Sequence, residues 1–299
     1  MIYHITHKNI NFEKWDRCVS DSISDIIYAK SWYLNIVCEK WDAIVLNDYE
    51  AVMPLPKKNI LGLKYITQPF MCQQLGVFHQ QEDFCIDDFI SIIPKIFLRF
   101  TINLNLNNTV SSSILKKNVN YTLLLNKNIH DLRSNYSKSH LKNLRRAHIK
   151  KVSVSSVPDT PEEFSFNKRK LSSNFMSKKQ LDIELKIINV LIGAGKGEIF
   201  SAKVTNDNCC SIFVANENKR LYLLSSYSNE EGRANSVYFF LIDHIFSLKK
   251  FRGYIFDFEG SNIKGIAERN KGFGAKPSNY VTIHQSLFKR CINCISKKQ

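Results

Sequence analysis

The stretch 221-LYLLSSYSNEEGRANSVYFFLIDHIFSLKKFRGYIFDFEGSN-262 decides the fold. Residues 220–226 are rich in Leu, Tyr and Ser and read as a strand. The polar turn from Ser228 to Asn235 follows. Residues 234–248 then place Val237, Phe240, Leu241, His244, Ile245 and Leu248 at helical spacing, and Phe239, Ile242 and Phe246 widen that face. Such breadth implies a helix buried on more than one side. Residues 254–258 are apolar again and read as a second strand. A strand, a covering helix and a strand in this order imply a parallel crossover unit.

Working upstream, residues 198–204 and 211–215 read as strands, with Asn-rich turns at 206–208 and 216–218. Helices are expected at 162–175 and 180–192, after a strand at 152–157. Residues 132–151 form the most distinctive helix. It carries Arg133, Lys138, Lys142, Arg145, Arg146, Lys150 and Lys151, and Leu141, Leu144 and His148 supply one packing stripe. Before it, residues 12–19 and 31–38 read as helices, and 42–46, 51–54, 65–67 and 75–78 as strands. A helix is expected over 87–100 with Pro94 kinking it or near its start, then strands at 101–106 and 121–125. The last strand is placed at 279–284. The chain thus divides into two halves of similar element order: 1–128, a basic linking helix at 129–151, and 152–299.

With 299 residues and 44% hydrophobic composition, the chain can bury a sizeable core. A formal net charge of +15 favours polyanionic partners, although a Lys- and Asn-rich composition produces the same excess without one. Eight Cys at irregular spacing do not make a disulfide framework. No apolar run approaches membrane-spanning length, and the start of the chain lacks signal-peptide character. A reducing, cytoplasmic setting is the expectation. The run Gly193-Ala194-Gly195-Lys196-Gly197 follows a helix and precedes a strand, the reverse of a nucleotide-binding fingerprint. Cys291 and Cys294 form a lone C-x-x-C pair, too little for zinc, and no metal is expected. Neither a G-x-S-x-G elbow nor an H-E-x-x-H motif is present.

Three places could carry chemistry. The helix opening at Gly232, Arg233, Ala234 and Asn235 offers unpaired N–H groups, a positive dipole end and a cation, which suits a phosphate or carboxylate. An ordinary helix start is the competing reading. Asp257 and Glu259 leave a strand end two residues apart, so both can face one side and act as general base or bind an ammonium. Capping or surface pairing with lysine is the alternative there. Asn270-Lys271-Gly272-Phe273-Gly274 suggests a tight loop packed by Phe273, with Lys271 nearby.

The segments 225-SSYSNEEGRANSVYFFLIDHI-245 and 254-YIFDFEGSNIKGIAERNKGFGAKPSNY-280 resemble the C-terminal half of Fem-like aminoacyltransferases and their short acetyltransferase relatives, a branch of the GNAT acyltransferase superfamily. Residues 62–78 (GLKYITQPFMCQQLGVF) and 135–151 (NYSKSHLKNLRRAHIKK) resemble the same proteins, in the same order. The resemblance implies an α/β (mixed α+β) chain of two tandem GNAT-like subdomains. Each would be a mostly antiparallel twisted sheet flanked by helices, with one parallel β-α-β crossover. In the second, the strands ending near Ser226 and Phe258 would splay, and the donor's arm would enter the gap beside Ser226 and Tyr227. Its phosphates would meet Gly232, Arg233, Ala234 and Asn235. The implied donor is acetyl-CoA or another acyl-CoA, or aminoacyl-tRNA in a ligase that meets tRNA through the basic helix at 132–151. The implied acceptor is a small molecule or a glycan- or lipid-linked precursor. Asp257 or Glu259 would take the acceptor's proton and Lys271 would orient a carbonyl. Gln73, Gln74, Ser261 and Asn262 would contact the acceptor. The match departs from Fem ligases where Arg269-Asn270 precede Lys271 in place of a Phe-Lys pair, and it lacks their helical-hairpin insertion. Three functions remain open on the sequence: a CoA-dependent acyltransferase, a tRNA-dependent aminoacyl ligase, and a non-catalytic binder of nucleic acid or anionic lipid.

Overall fold

The computed structural model of the chain describes residues 1–81, 84–111, 115–172, 175–260 and 262–286. Cys291 and Cys294 lie outside them. The strands are β1 (Ile2–Ile5), β2 (Trp41–Leu46), β3 (Ala51–Ile60), β4 (Leu63–Thr67), β5 (Phe78–His79), β6 (Phe97–Asn103), β7 (Leu115–Leu124), β8 (Ser153–Val154), β9 (Gly197–Lys203), β10 (Asn208–Glu217), β11 (Arg220–Ser228), β12 (Ile255–Gly260) and β13 (Lys276–Ser286). The helices are α1 (Phe12–Asp21), α2 (Ser31–Val37), α3 (Asp87–Ile92), α4 (Ile129–Arg133), α5 (Lys138–Ile149), α6 (Pro161–Ser172), α7 (Lys178–Gly193), α8 (Glu230–Ala234), α9 (Val237–Ser247) and α10 (Lys264–Gly272). The mixed α/β class expected from the sequence is therefore present.

Two compact units form. The first is Met1–Asn118 together with the chain from Asn279 onward; the second is Val119–Ser278. The chain thus leaves the first unit within β7 and returns within β13. These limits differ from the expected segments at 128 and 152, because β7 pairs with β12 through Leu124↔Ile255 and β13 pairs with β6 through Thr282↔Asn103. The basic helix falls inside the second unit and packs its buried His140, Leu144 and Ala147 there.

In the first unit the strands follow the order β1-β2-β3-β4-β6-β13, with β5 beside β3. All neighbours are antiparallel except β4 and β6. The α1 helix buries Trp15, Cys18 and Val19, an i, i+3, i+4 stripe. Asn11 caps it by accepting from Lys14 N–H at 3.0 Å. The expected helix at 87–100 stops at Ile92. Pro94 lacks the N–H that helix continuation needs, and β6 begins at Phe97.

In the second unit the order is β7-β12-β11-β10-β9-β8. The β11 and β12 strands are parallel, as the strand–helix–strand reading requires. The helix expected at 234–248 is α9, which starts at Val237 after a break at Ser236, whose φ of 59° is left-handed, and the turn expected at 228–235 contains the short α8. Likewise the 132–151 helix is α4 and α5 with a break before Ser137, which caps α5 by accepting from His140 N–H at 3.2 Å. The core of this unit centres on Phe273, which is fully buried. Its ring meets those of His140 (4.5 Å), Tyr136 (5.3 Å), Phe258 (5.7 Å), Phe239 (5.9 Å) and Phe246 (5.9 Å).

Candidate functional site

The parallel ladder between β11 and β12 is short. It holds for Arg220↔Ile255, Leu221↔Phe256 and Tyr222↔Asp257 and then stops, while β11 runs on to Ser228. Among the described residues, positions 223–228 have no partner on β12. They stay in register with β10, but the ladder skips one residue. Phe213 pairs with Ser225 and Val214 with Leu223, so Leu224 is a bulge. The bulge coincides with the point where the two strands part. Side chains at 223, 225 and 227 are buried, and those at 224, 226 and 228 are half-buried.

A second irregularity lies on β12. Its register with β7 shifts between Asp257 and Gly260, and Glu259 there has φ 62°. A non-glycine residue held left-handed is strained by about 1–3 kcal/mol, and such strain gathers at functional positions. Asp257 and Glu259 therefore do not form a matched pair. Asp257 is 4% exposed, and its carboxylate accepts from Arg220 Nη1 (2.8 Å), Asn120 Nδ2 (2.8 Å) and the Glu259 N–H (3.0 Å). That carboxylate is occupied by protein donors. Glu259 is half-buried.

The other positions singled out from the sequence are placed as follows. The close approach that requires Gly232 is to the protein itself. A Cβ there would stand 2.5 Å from the Cys209 carbonyl oxygen and 2.5 Å from Ser228 Oγ. The Gly232 N–H is donated to Asn229 Oδ1 at 2.9 Å. Arg233 is exposed, and its Nη1 donates to the Ser228 carbonyl. Ala234 is exposed, and half-buried Asn235 donates from Nδ2 to the Glu231 carbonyl at 2.9 Å. Ser226 is half-buried, whereas Tyr227 is buried against α6, where its hydroxyl donates to Asp159 Oδ2 and accepts from Asn167 Nδ2 at 3.1 Å. Burial pushes the Tyr227 phenol up, and the hydrogen bond to Asp159 adds to the effect.

Lys271 is exposed near the C-terminus of α10, since the expected loop at 270–274 is helical up to Gly272. A Cβ on Gly272 would overlap the His140 ring, so this glycine makes room for the buried imidazole. His140 in turn bonds Ser137 Oγ through Nδ1 (2.8 Å) and the Arg269 carbonyl through Nε2 (2.8 Å), and burial lowers its pKa. Asn262 is exposed and accepts from the Val119 N–H at 3.1 Å. Ser261 lies outside the described residues.

Gln73 and Gln74 belong to the first unit. There Gln74 is buried and donates to Gln73 Oε1 at 2.7 Å, while the Gln73 carbonyl accepts from Asn103 Nδ2 at 2.8 Å. These amides tie the 68–75 loop to β6. The bulge at Leu224, the strain at Glu259 and the buried Asp159–Tyr227 contact escaped the sequence reading. None has a residue-type signature, because each arises from ladder register or from long-range packing.

Two tandem GNAT-type folds of the Fem-like kind describe this architecture. The match to known structures is at the level of fold. FemX superimposes with a TM-score of 0.59 at 10% identity, covering 91% of this chain and 96% of its own. A tandem GNAT protein from the clavulanic acid biosynthesis pathway gives 0.56 at 9% identity, covering 96% and 99%. A conserved protein of unknown function from Bacteroides thetaiotaomicron gives 0.51 at 11% identity, covering 94% and 99%. No protein-family model matches the chain, and no curated protein matches it in sequence. Among the described residues no helix is long and apolar enough to cross a membrane, and no group of three His, Cys, Asp or Glu side chains gathers to hold a metal.

Proposed function

We propose that the chain is a cytoplasmic acyltransferase that moves an acyl group, acetyl in the simplest case, from acyl-CoA to an amine or hydroxyl of a glycan- or lipid-linked precursor. The observation that carries this reading is the parting of β11 from β12 at the Leu224 bulge. A strand edge that leaves its parallel neighbour exposes backbone N–H groups, and these suit the carbonyl oxygen of a thioester as it gains charge. The acceptor's nucleophile attacks the acyl carbon, the C–S bond breaks, and the leaving thiolate is protonated from solvent. The attacking group's proton passes to Glu259 or Asp257, the two carboxylates near the end of β12. Arg233, beside Gly232, Ala234 and Asn235, holds donor phosphate after exchanging its bond to the Ser228 carbonyl. Lys271 orients a carbonyl, with Ser226, Tyr227 and Asn262 contributing to the two substrate sides. Titration calorimetry with acetyl-CoA tests the donor assignment. Arg233→Ala should weaken binding about tenfold, in line with loss of one charge-assisted contact. Equal affinity in both proteins removes Arg233 from the donor site.

A second reading, aminoacyl-tRNA as donor, draws on α5. Lys138, Lys142, Arg145, Arg146, Lys150 and Lys151 are exposed, and none makes an ion pair among the described residues. RNA bound there must show an affinity that falls steeply with salt through counterion release. A flat salt response excludes it.

A further inference from the structure

A second group of side chains in the same unit has chemistry the acyl-transfer reading does not use. Tyr238 opens α9 and is 8% exposed, yet its hydroxyl has no hydrogen-bond partner. The Arg269 guanidinium, from α10, lies over the Tyr238 ring at 4.3 Å, and its buried Nε–H is likewise unpartnered. Ser228 Oγ, at the end of β11, instead meets the buried Cys210 thiol. Arg269 makes no ion pair among the described residues. Burial raises the Tyr238 phenol to about 12, so it is a neutral O–H donor at any physiological pH.

Leaving a buried polar group without a partner is costly. Here two such groups meet, both can donate, and the only formal charge between them is positive. A packed structural cluster would be expected to include acceptors to match its donors. This one has an excess of donors around an uncompensated guanidinium, which is the composition of an oxyanion seat.

We propose that Arg269 and Tyr238 bind an oxyanion group, phosphoryl or carboxylate, of a substrate. Arg269 supplies the charge, stacked on Tyr238 so that its fork is fixed before the ligand arrives. Tyr238 supplies a neutral O–H donor. The anion belongs either to the acyl donor's phosphates or to a carboxylate on the acceptor. The inference places a site and stands whether or not the donor is acyl-CoA, but its role in catalysis rests on the acyl-transfer reading.

The test titrates the full chain with inorganic pyrophosphate, acetate and acetyl-CoA, by calorimetry and by the rise in Tm with ligand concentration. At least one of the two simple anions should raise Tm in the native protein. Arg269→Met should weaken that anion tenfold or more, Arg269→Lys should recover part of the loss, and Tyr238→Phe, which keeps the ring, should weaken it about threefold to tenfold. Loss of acetyl-CoA affinity in step with pyrophosphate identifies the donor as the source. Arg269-dependent acetate binding with acetyl-CoA affinity unchanged identifies an acceptor carboxylate. Anion binding that needs Arg269 in a protein that never binds acetyl-CoA upholds this site and removes the acyl-CoA reading instead. If Arg269→Met does not fold, Tyr238→Phe decides. A native protein indifferent to both simple anions, or variants that bind them as the native protein does, overturns the proposal.

Discussion

Among the described residues each unit has one parallel pair of named strands, and the two pairs end differently. In the first unit β4 and β6 pair through Thr67↔Thr101, and the chain beyond β4 then turns back onto β6. Leu75 bridges Leu104, its N–H donating to the Asn103 carbonyl at 2.7 Å and its carbonyl accepting from Asn105 at 2.8 Å. Gln68 Oε1 accepts from the Asn103 N–H at 3.0 Å, and its Nε2 donates to the Cys72 carbonyl at 2.7 Å. The edge of β6 is thus satisfied by the chain itself. In the second unit β11 continues for six residues past its last contact with β12, with a bulge at Leu224 and a strained Glu259 opposite. One parallel pair is filled by its own loop and the other is left open. The same strand arrangement is tied by its own loop in one unit, whereas in the other β11 runs on, among the described residues, without a partner on β12.

This contrast can be broken or sharpened by substitution. The largest effects fall on the packing beneath the open pair. Phe273→Ala removes the ring around which five others gather and should cost about 3–5 kcal/mol in urea unfolding. Next, Asp257→Asn leaves Arg220 without its buried partner and should cost about 3 kcal/mol or more. Glu259→Gln, two residues on, should change stability by about 1 kcal/mol or less while lowering acyl-transfer turnover. If Asp257 were instead the base, Glu259→Gln would keep its turnover and Asp257→Asn would lose turnover while still folded.

In the first unit, Gln68→Ala unties the loop from β6 and should cost about 1–3 kcal/mol through the two backbone groups left unpaired, with acetyl-CoA affinity unchanged. A change in that affinity would mean that the filled pair also serves the donor. A smaller effect of opposite sign is expected for Glu259→Gly. Glycine accepts positive φ, so the protein should gain up to about 1 kcal/mol and lose turnover.

The pH dependence follows from His140. Burial lowers its pKa in the folded state, so the unfolded chain binds the proton more readily. Stability is full above the ordinary imidazole value of about 6.5 and declines as pH falls below it. His79 and His244 are lowered by burial as well, so the diagnostic quantity is a difference. His140→Asn should flatten the decline between pH 7 and pH 5 without abolishing it.

The crossover was legible because its signals are local. Apolar runs at 220–226 and 254–258 flank a broad apolar helix, and parallel pairing follows from that order alone. The break at Ser236 was not legible, since a serine held in a left-handed conformation carries no Gly or Pro signal. The helix misread at 87–100 shows the reverse error, in which apolar spacing ran through Pro94 although the backbone could not. At the site, residue type suggested that Asp257 and Glu259 were equivalent. Register separates them, because the bulge at β12 turns one inward onto Arg220 and holds the other in a strained conformation. Gly232 and Gly272 looked like features of ligand loops, but the close neighbours are Cys209, Ser228 and His140. Arg269 stood out as a departure from the Fem pattern, and its unpartnered Nε over Tyr238 is the structural counterpart of that departure.

The central claim, that the open edge of β11 receives the acyl donor, is tested most directly by hydrogen exchange with and without acetyl-CoA. The account predicts slower amide exchange over residues 223–228 when acetyl-CoA is present, and no change over 63–75 in the first unit. Unchanged exchange at 223–228, or protection confined to 63–75, would contradict it.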